Sequence, residues 1–420
     1  MEYGIIGEHL KHSFSKEIHG LLADYEYTLR EIPRQELQEF MEKRDFKAIN
    51  VTIPYKESVL PYLDEISPIA KRIGAVNTIV NRNGSLFGDN TDYFGLKSLV
   101  LKNLDPKGKK VLILGSGGTS KTAVAVMTDL GAEKVARVSR SGRDGALTYE
   151  QAAQQCSDAQ VLVNTTPCGM YPHCEEKPID IRLFPKLEAV IDAIYNPLRS
   201  ELVLDGLEAG ISAEGGLYML VAQAVRAVEV FLGTTLPAGT LEQVFAKLKG
   251  EKENIVLTGM PGCGKTTVGS ILSSKLHREI VDTDAEIVKR TGQEISAFFA
   301  EFGEEAFRRE EQTVIAHVSS QTGKIISTGG GAVLRDANVR RLRSNGKIVF
   351  IDRALESLMP TADRPLALNK TALEARYRER YGRYCSTADV QVRADCPPEE
   401  VAQRILKALG VAEAPGKDLL

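Results

Sequence analysis

The sequence predicts an α/β protein in which parallel sheets are covered by helices along the whole chain. Three observations predict it. Apolar strand-like runs alternate with amphipathic helical stretches. Three of those runs end on glycine, at Lys110–Leu114 before Gly115, Asn254–Thr258 before Gly259 and Lys324–Thr328 before Gly329. The 420 residues exceed what one hydrophobic core usually organises, so two or three domains are expected. Each strand-to-glycine junction marks a ligand edge, because parallel strands deliver their following loops to one side of the sheet.

Composition narrows the function classes. With 43% hydrophobic and 26% charged residues the chain reads as globular, and a net charge of -3 offers no basic surface for nucleic acid. Cys156, Cys168, Cys174, Cys263, Cys385 and Cys396 show no C-x-x-C spacing, which suggests reduced thiols and a cytoplasmic address. Met1–Gly7 lacks the basic and apolar regions of a secretory leader, and no apolar run reaches the ~18 residues that would span a bilayer, so no membrane role is expected. Nothing here excludes a homo-oligomer.

The first chemistry-bearing element is Asn50-Val-Thr52-Ile-Pro-Tyr-Lys56, which places a lysine after an apolar strand and a proline-fixed turn. Gly88-Asp-Asn-Thr-Asp92 supplies an acid on another loop. A lysine held by a carboxylate suits carbonyl reduction, since the ketone oxygen gains charge as hydride arrives and an ammonium can stabilise it and give it a proton. Taken singly, Lys56 reads as a surface lysine and Asp92 as a helix cap.

Proline and glycine at Asn103-Leu-Asp-Pro-Lys-Gly108 mark a joint before the next strand. Val111–Leu114 then leads into Gly115-Ser-Gly117-Gly118-Thr-Ser120, the first two glycines of a dinucleotide-binding turn with serine in the third place. A second strand, Lys134–Val138, ends in Ser139-Arg140-Ser141-Gly-Arg143 instead of the acid that would hold a ribose 2′-hydroxyl. Small and basic residues there favour a 2′-phosphate, hence NADP over NAD. Exposed arginines after a strand are also common without any ligand.

Between Leu248 and Asn254 lies a charged run with a glycine and no apolar residue, where the main boundary is placed. Beyond it Gly259-Met-Pro-Gly262-Cys-Gly264-Lys265-Thr266 fits G-x-x-x-x-G-K-[ST] between a strand and a helical run beginning near Thr267. In such a loop the backbone amides converge on phosphate oxygens, Lys265 neutralises their charge and Thr266 ligates Mg²⁺. The loop therefore implies ATP. Asp282-Thr-Asp284 follows the strand Ile280–Val281 at the same sheet edge, where one carboxylate can serve hydrated Mg²⁺ and the other a substrate hydroxyl. Helix capping is the plainer reading of two acids in a turn.

Phe302-Gly-Glu-Glu-Ala-Phe307-Arg308-Arg309-Glu310-Glu311 reads as a turn entering a helix, with Arg308 and Glu311 on one face. An arginine anchored by an acid presents a rigid fork to a carboxylate. Gly329-Gly330-Gly331 puts bare amides at that edge, or is only a flexible turn.

The phosphate loop, Asp282-Thr-Asp284, Gly303-Glu-x-x-Phe-Arg308-x-x-Glu311, the triple glycine, Arg364-Pro-Leu366 and Arg380-x-x-x-Tyr384, in this order, resemble shikimate kinase over about Asn254–Leu409. That resemblance implies a nucleoside-monophosphate-kinase-like P-loop domain. It further implies shikimate on Asp284, Arg308, Gly330 and Arg380, with Asp284 and Lys265 catalytic and Asp284 beside the 3-hydroxyl. ATP would lie on Gly259, Gly262, Gly264, Lys265, Thr266, Thr267 and the lid residue Arg364, with Thr266 and Asp282 serving Mg²⁺. The lid segment 354–363 departs from the family in having no basic residue.

The earlier segments, with His12-Ser13-x-Ser15, Ile73-Gly-Ala-Val-Asn77-Thr, Asn164-Thr-Thr-Pro-x-Gly-Met170, Asp192-x-x-Tyr195 and Gly216-x-x-Met219-Leu-x-x-Gln223-Ala, resemble shikimate dehydrogenase over about Tyr3–Leu248. The resemblance implies an α/β substrate domain and a Rossmann NADP domain. It assigns the substrate carboxylate to Ser13 and Ser15, its hydroxyls to Thr52, Asn77, Asp92, Tyr195 and Gln223, and catalysis to Lys56 with Asp92. The NADP set is Gly115, Gly117, Gly118, Arg140, Arg143, Gly216 and Met219. His9 and Lys16 stand where the family has prolines, and Ser139-Arg-Ser replaces its Asn-Arg-Thr. His12, His19 and His173 read as structural or exposed.

The expected layout is a discontinuous substrate domain over 1–102 and 216–247, an NADP domain over 103–215, a linker over 248–253, a kinase domain over 254–412 and a disordered tail over 413–420. The expected chemistry is reduction of 3-dehydroshikimate to shikimate with NADPH, then phosphorylation of shikimate by MgATP. Neither nucleotide motif names the second substrate. Quinate oxidation, another small-molecule kinase, or a nucleotide-binding module that only regulates the dehydrogenase are the alternatives.

Overall fold

In the computed structural model, which describes residues 1–10, 14–358 and 370–414, all three glycine junctions lie at the carboxyl ends of parallel strands. The chain divides into two compact units, Met1–Lys249 and Gly250–Leu420.

The first unit holds two sheets. One contains β1 (Tyr3–Gly7), β2 (Tyr27–Glu31), β3 (Ala48–Val51), β4 (Glu65–Ile66), β5 (Thr78–Arg82) and β6 (Ser85–Asp89), in the order β2-β1-β3-β5-β6-β4. Strands β1, β2 and β3 run parallel, and β5 turns back against β3 and β6. All four residues of β3 are buried, as expected for a strand covered on both faces. Its single polar residue, Asn50, accepts from the Tyr27 hydroxyl at 2.7 Å and donates to Asn77 O and Thr78 Oγ1 at 3.2 Å, so the burial is satisfied.

The other sheet is wholly parallel: β7 (Lys110–Leu114), β8 (Lys134–Val138), β9 (Val161–Asn164), β10 (Ala189–Asp192) and β11 (Ser212–Glu214), in the order β11-β10-β9-β7-β8. Leu147, outside the named strands, makes one further parallel bridge to Val138 of β8. Counting that bridge as a vestigial third strand restores the doubly wound dinucleotide-binding order, whose ligand crevice opens where neighbouring loops part, between β7 and β9. Gly115 sits there with φ 119°, and a Cβ on it would come within 2.5 Å of Thr165 Oγ1, so the first loop residue must be glycine.

The helix Leu217–Leu232 leaves the second sheet and returns to the first. Leu217, Val221 and Ala224 pack on Ile18, and Phe231 joins Ile5, Leu10 and Tyr27. It crosses the helix Thr91–Asn103 at Gly95, where a Cβ would lie 2.6 Å from Met219 O. That backbone approach sets Gln223 against Thr91.

The run 248–253, expected as the linker, holds the division between the two compact units and is mostly helical: Thr240–Lys252 is continuous through it. Lysine and glutamate are good helix formers, and Leu248 is fully buried beside Ile18, so the charges are the exposed side of a helix end.

The second unit is built on β12 (Asn254–Thr258), β13 (Ile280–Asp282), β14 (Ile325–Ser327), β15 (Gly346–Asp352) and β16 (Val390–Arg393), all parallel, in the order β13-β14-β12-β15-β16. One core runs through the unit, from Ile255–Leu257 to Tyr384 and Ile405. Among the described residues no helix is long and apolar enough to cross a membrane, and all six cysteines are free thiols.

Candidate active sites

The first unit presents two cavities that meet at one lysine. A pocket of about 490 Å³ is lined by Ser15, Thr52, Lys56, Asn77, Asp92, Tyr195 and Gln223, among others. A groove of about 1170 Å³ follows Gly115–Thr119, Ser139, Arg140, Tyr149 and Thr165–Cys168. Ile53, Lys56 and Thr119 line both.

Lys56 Nζ donates to Asp92 Oδ2 at 2.6 Å, with both side chains mostly buried. Asp92 sits in the first turn of the helix Thr91–Asn103, whose cap is Asn90, accepting from Tyr93 N at 3.2 Å. The cap reading therefore belongs to Asn90 and leaves Asp92 to the lysine. Asn77 is locked by accepting from Thr91 N at 2.7 Å and donating to Thr91 Oγ1 at 3.1 Å. Gln223 donates to Leu220 O at 2.9 Å. Tyr195 packs on Phe14, and burial pushes its phenol pKa up. Thr91 is thus the hub of the polar wall, overlooked although it lies inside the Gly88–Asp92 motif.

On the groove side, Ser120, in the place of a third glycine, is fully buried and donates to Gly115 O at 2.8 Å, which ties the turn to its helix. Arg140 is exposed on the groove wall, while Arg143 does not line it. Gly216 and Met219, expected with the cofactor, line the pocket that adjoins the groove. Gly216 is required by packing: a Cβ there would overlap the Ala193 carbonyl, and its own amide donates to Ile194 O at 2.7 Å.

Behind this wall Asp192 is completely buried at the end of β10, accepting from Ser200 Oγ at 2.5 Å, Asn164 Nδ2 at 3.0 Å and Ile194 N at 3.0 Å. Burial raises its pKa to about 6 against those bonds. His19 is buried and stacked on Tyr27, whereas His173 is exposed. His9 lines the substrate pocket and Lys16 is exposed. Ser13 and His12 fall outside the described residues.

In the second unit the loop Gly259–Gly264 joins β12 to the helix Lys265–Leu276. Gly259, Gly262 and Gly264 have φ of 143°, 78° and 101°, a backbone run that side chains would resist. Lys265 is buried and donates to Gly259 O at 3.0 Å and Met260 O at 3.1 Å. Thr266 and Thr267 are exposed at the helix start. Asp282 divides its oxygens: Oδ1 accepts from Asp284 N at 3.0 Å and caps the helix Thr283–Thr291, and Oδ2 accepts from Thr266 Oγ1 at 3.4 Å. A hydroxyl and one carboxylate fit Mg²⁺, which keeps most of its waters and takes phosphate oxygens besides.

Beside the loop a pocket of about 360 Å³ is lined by Pro261, Thr266, Asp284, Arg308, Glu311, Gly329–Gly331, Arg376 and Arg380, among others. Arg308 donates to Glu311 at 2.9 Å and Glu304 at 3.1 Å. Burial alone would weaken its charge, but the two glutamates raise its pKa overall, while burial pushes the Glu311 carboxyl up. Gly303, with φ 78°, breaks the helix Ile295–Ser319 just before this pair, as the Phe302-Gly turn implied.

The triple glycine is no mere flexible turn. A Cβ on Gly329 would approach Asp284 Oδ1 to 2.5 Å, and one on Gly331 would enter the Arg308 guanidinium. Tyr384 is fully buried and donates to Gly330 O. Arg376 was missed, although its place one helical turn before Arg380 was the signal for it. Arg364 and residues 359–363 of the expected lid fall outside the described residues.

Both units resemble known proteins. The model for the shikimate dehydrogenase substrate-binding domain matches residues 5–79, and that for shikimate kinase matches residues 261–410. Shikimate dehydrogenase (NADP(+)) of Clostridium beijerinckii is 36% identical over 247 residues, which is 54% of this chain and 91% of that protein. A Bacillus cereus relative of the same description is 33% identical and 99% covered, over 59% of this chain.

Among solved structures, a chorismate mutase/shikimate 5-dehydrogenase fusion protein from Clostridium acetobutylicum aligns with TM-score 0.56 and 32% identity, covering 59% of this chain and 96% of that one. Shikimate dehydrogenase 1 from Peptoclostridium difficile aligns with TM-score 0.55 and 37% identity, covering 59% and 98%. By the Lys56–Asp92 pair between its two cavities and the acceptor pocket beside its phosphate loop, as much as by these matches, the chain belongs to the shikimate dehydrogenase family and carries a shikimate kinase domain behind it.

Proposed function

We propose that the two units catalyse consecutive steps: reduction of 3-dehydroshikimate to shikimate with NADPH, and phosphorylation of shikimate at its 3-hydroxyl with MgATP. The observation that carries the first step is the place of Lys56, on the wall shared by the pocket and the groove. A ketone in the pocket and a nicotinamide in the groove would meet beside its ammonium. NADPH supplies the hydride when bound. Lys56, held by Asp92, stabilises the charge that grows on the ketone oxygen and gives it a proton, becoming the neutral amine until solvent restores it. Ser13, Ser15, Thr52, Asn77, Tyr195 and Gln223 would orient the substrate, and Arg140 would meet the 2′-phosphate that selects NADP.

For the second step the supporting observation is that Pro261 and Thr266 of the phosphate-loop region line the same pocket as Asp284, Arg308 and Arg380. MgATP supplies the phosphoryl group. Asp284 would orient the attacking hydroxyl and accept its proton, Lys265 would move from the loop carbonyls to phosphate oxygens, and Arg308 with Arg380 would hold the carboxylate. The free thiols and the solute nature of both substrates favour a cytoplasmic enzyme.

One assay tests the whole reading. NADPH, ATP and 3-dehydroshikimate given together should yield NADP⁺, ADP and shikimate 3-phosphate. Quinate accepted in place of shikimate, or ATP altering the dehydrogenase rate with no phosphate transferred, would overturn it in favour of the alternatives.

A further inference from the structure

The acceptor pocket of the second unit carries a charge with no task in the scheme above. Arg376 lines it one helical turn before Arg380, on the helix Lys370–Thr387. Residues four apart on a helix share a face, so the two guanidiniums are neighbours on one wall. Burial, and after it the like charge of Arg380, weaken the hold of Arg376 on its proton. It stays a cation at neutral pH, because a guanidinium does not titrate in that range. Glu379 and Glu304 offset part of that weakening, and an anion lying between the two guanidiniums would relieve their mutual repulsion further.

The rest of the lining shows where that anion belongs. Asp282, Asp284, Glu294 and Glu311 bring carboxylates to the pocket, against Arg308, Arg376 and Arg380. Arg308 is committed to Glu311 and Glu304. Arg380 is only 4% exposed, and its Nε, fully enclosed, has no hydrogen-bond partner among the described residues. Besides Arg308, a carboxylated acceptor in this pocket therefore meets positive charge on the helix that carries Arg376 and Arg380.

We infer that Arg376 is a specificity-determining residue of the kinase, holding the acceptor carboxylate together with Arg380 so that the pocket selects an anionic polyol over a neutral one. This rests on the kinase reading given above. The test compares shikimate with the cyclohexene triol that lacks its carboxylate, in the full chain carrying Arg376→Met or Arg376→Lys. For Arg376→Met the KM for shikimate should rise about tenfold or more, as for loss of one charge-assisted contact, with kcat and the KM for ATP within about twofold.

The kcat/KM for the triol should not change, and Arg376→Lys should recover part of the loss, since lysine keeps the charge and not the fork. An unchanged KM for shikimate, or an equal loss for both acceptors, overturns the inference. A parent chain that phosphorylates neither acceptor would sink the kinase assignment itself, and is distinguishable because it appears before any substitution is made.

Discussion

Lys56 donates to Asp92 at 2.6 Å across 36 residues of chain, and the two come from different supports: a proline turn after β3 and the first turn of the helix Thr91–Asn103. Because Asn90 caps that helix, the Asp92 carboxylate is left to hold the ammonium. Lys56→Ala should lower the kcat of ketone reduction by roughly 10²–10⁴-fold, the usual worth of a positioned acid, and leave phosphorylation intact. Asp92→Asn should lose less, since the amide still fixes the lysine without its charge. Separate assays of the two half-reactions on each variant check this; loss of both activities from a folded Lys56→Ala chain would refute separate sites.

Arg140 and Arg143 follow the same strand, but only Arg140 lines the groove. Arg140→Ala should raise the KM for NADPH about tenfold or more and leave the KM for NADH nearly unchanged, because the contact proposed for it is to the 2′-phosphate. Arg143→Ala should change neither by more than about twofold, the small effect usual for exposed charges. Initial rates with both nucleotides decide between the two arginines, and equal effects would show that the groove wall does not read the phosphate.

Gly331 has an ordinary φ of -100°, so alanine costs the backbone nothing there. Its Cβ would instead enter the Arg308 guanidinium, which cannot retreat without leaving Glu311. Gly331→Ala should therefore raise the KM for shikimate by about tenfold, with the KM for ATP retained. Isothermal titration with each ligand separates the outcomes: equal weakening of both would mean a general collapse of the loop.

Fusion gives neither unit a private supply of shikimate. A small metabolite diffuses away from its site in solution, and tethering raises only the encounter probability of the domains. Unlabelled shikimate added during turnover of labelled 3-dehydroshikimate should dilute the label in shikimate 3-phosphate fully. Label retained in the product would reveal transfer between the sites.

The parts of this molecule most legible in sequence are those where backbone chemistry and residue type coincide. The glycines of the phosphate loop and Gly115 announce positive φ, and the strands before them carry the apolar runs Val111–Leu114 and Ile255–Leu257. Harder to read were contacts made by tertiary approach. Gly331 looked like a flexible turn because the side chain it accommodates, Arg308, lies 23 residues earlier in sequence. Gly216 and Met219, expected beside the cofactor, line the pocket that shares Ile53, Lys56 and Thr119 with the nucleotide groove, a place that only the course of their helix fixes. In the segment 248–253, where the division between the compact units falls, a charged run is both a good linker and a good helix end, and the burial of Leu248 shows that it is helical.

His19 makes the pH dependence of the first unit unusual. It is fully buried, stacked on Tyr27 at 3.8 Å and bonded to the Tyr25 hydroxyl at 2.7 Å, and burial lowers its pKa from 6.5 to about 3. The folded chain thus refuses a proton that the unfolded chain accepts below pH 6.5, so its contribution is complete above that pH and is lost as pH falls toward 3. Asp192 acts in the opposite sense. Its pKa is raised to about 6 from 3.8, so the folded state takes up a proton first and gains stability as pH falls through that window. Tyr25 and Tyr27, facing the imidazole, are both raised further into the alkaline range and stay neutral throughout. As pH falls from neutral the histidine therefore lowers stability while Asp192, titrating near 6, offsets part of that loss, so the net slope stays below about 1.4 kcal/mol per pH unit. His19→Phe, which keeps the stack, should flatten that slope while costing some stability at neutral pH through the lost Tyr25 bond. Hydrogen exchange in the peptide carrying Ser15–Leu22, measured in graded denaturant at several pH values, reads it directly, and an equal slope in both proteins would show that His19 is not the group that titrates.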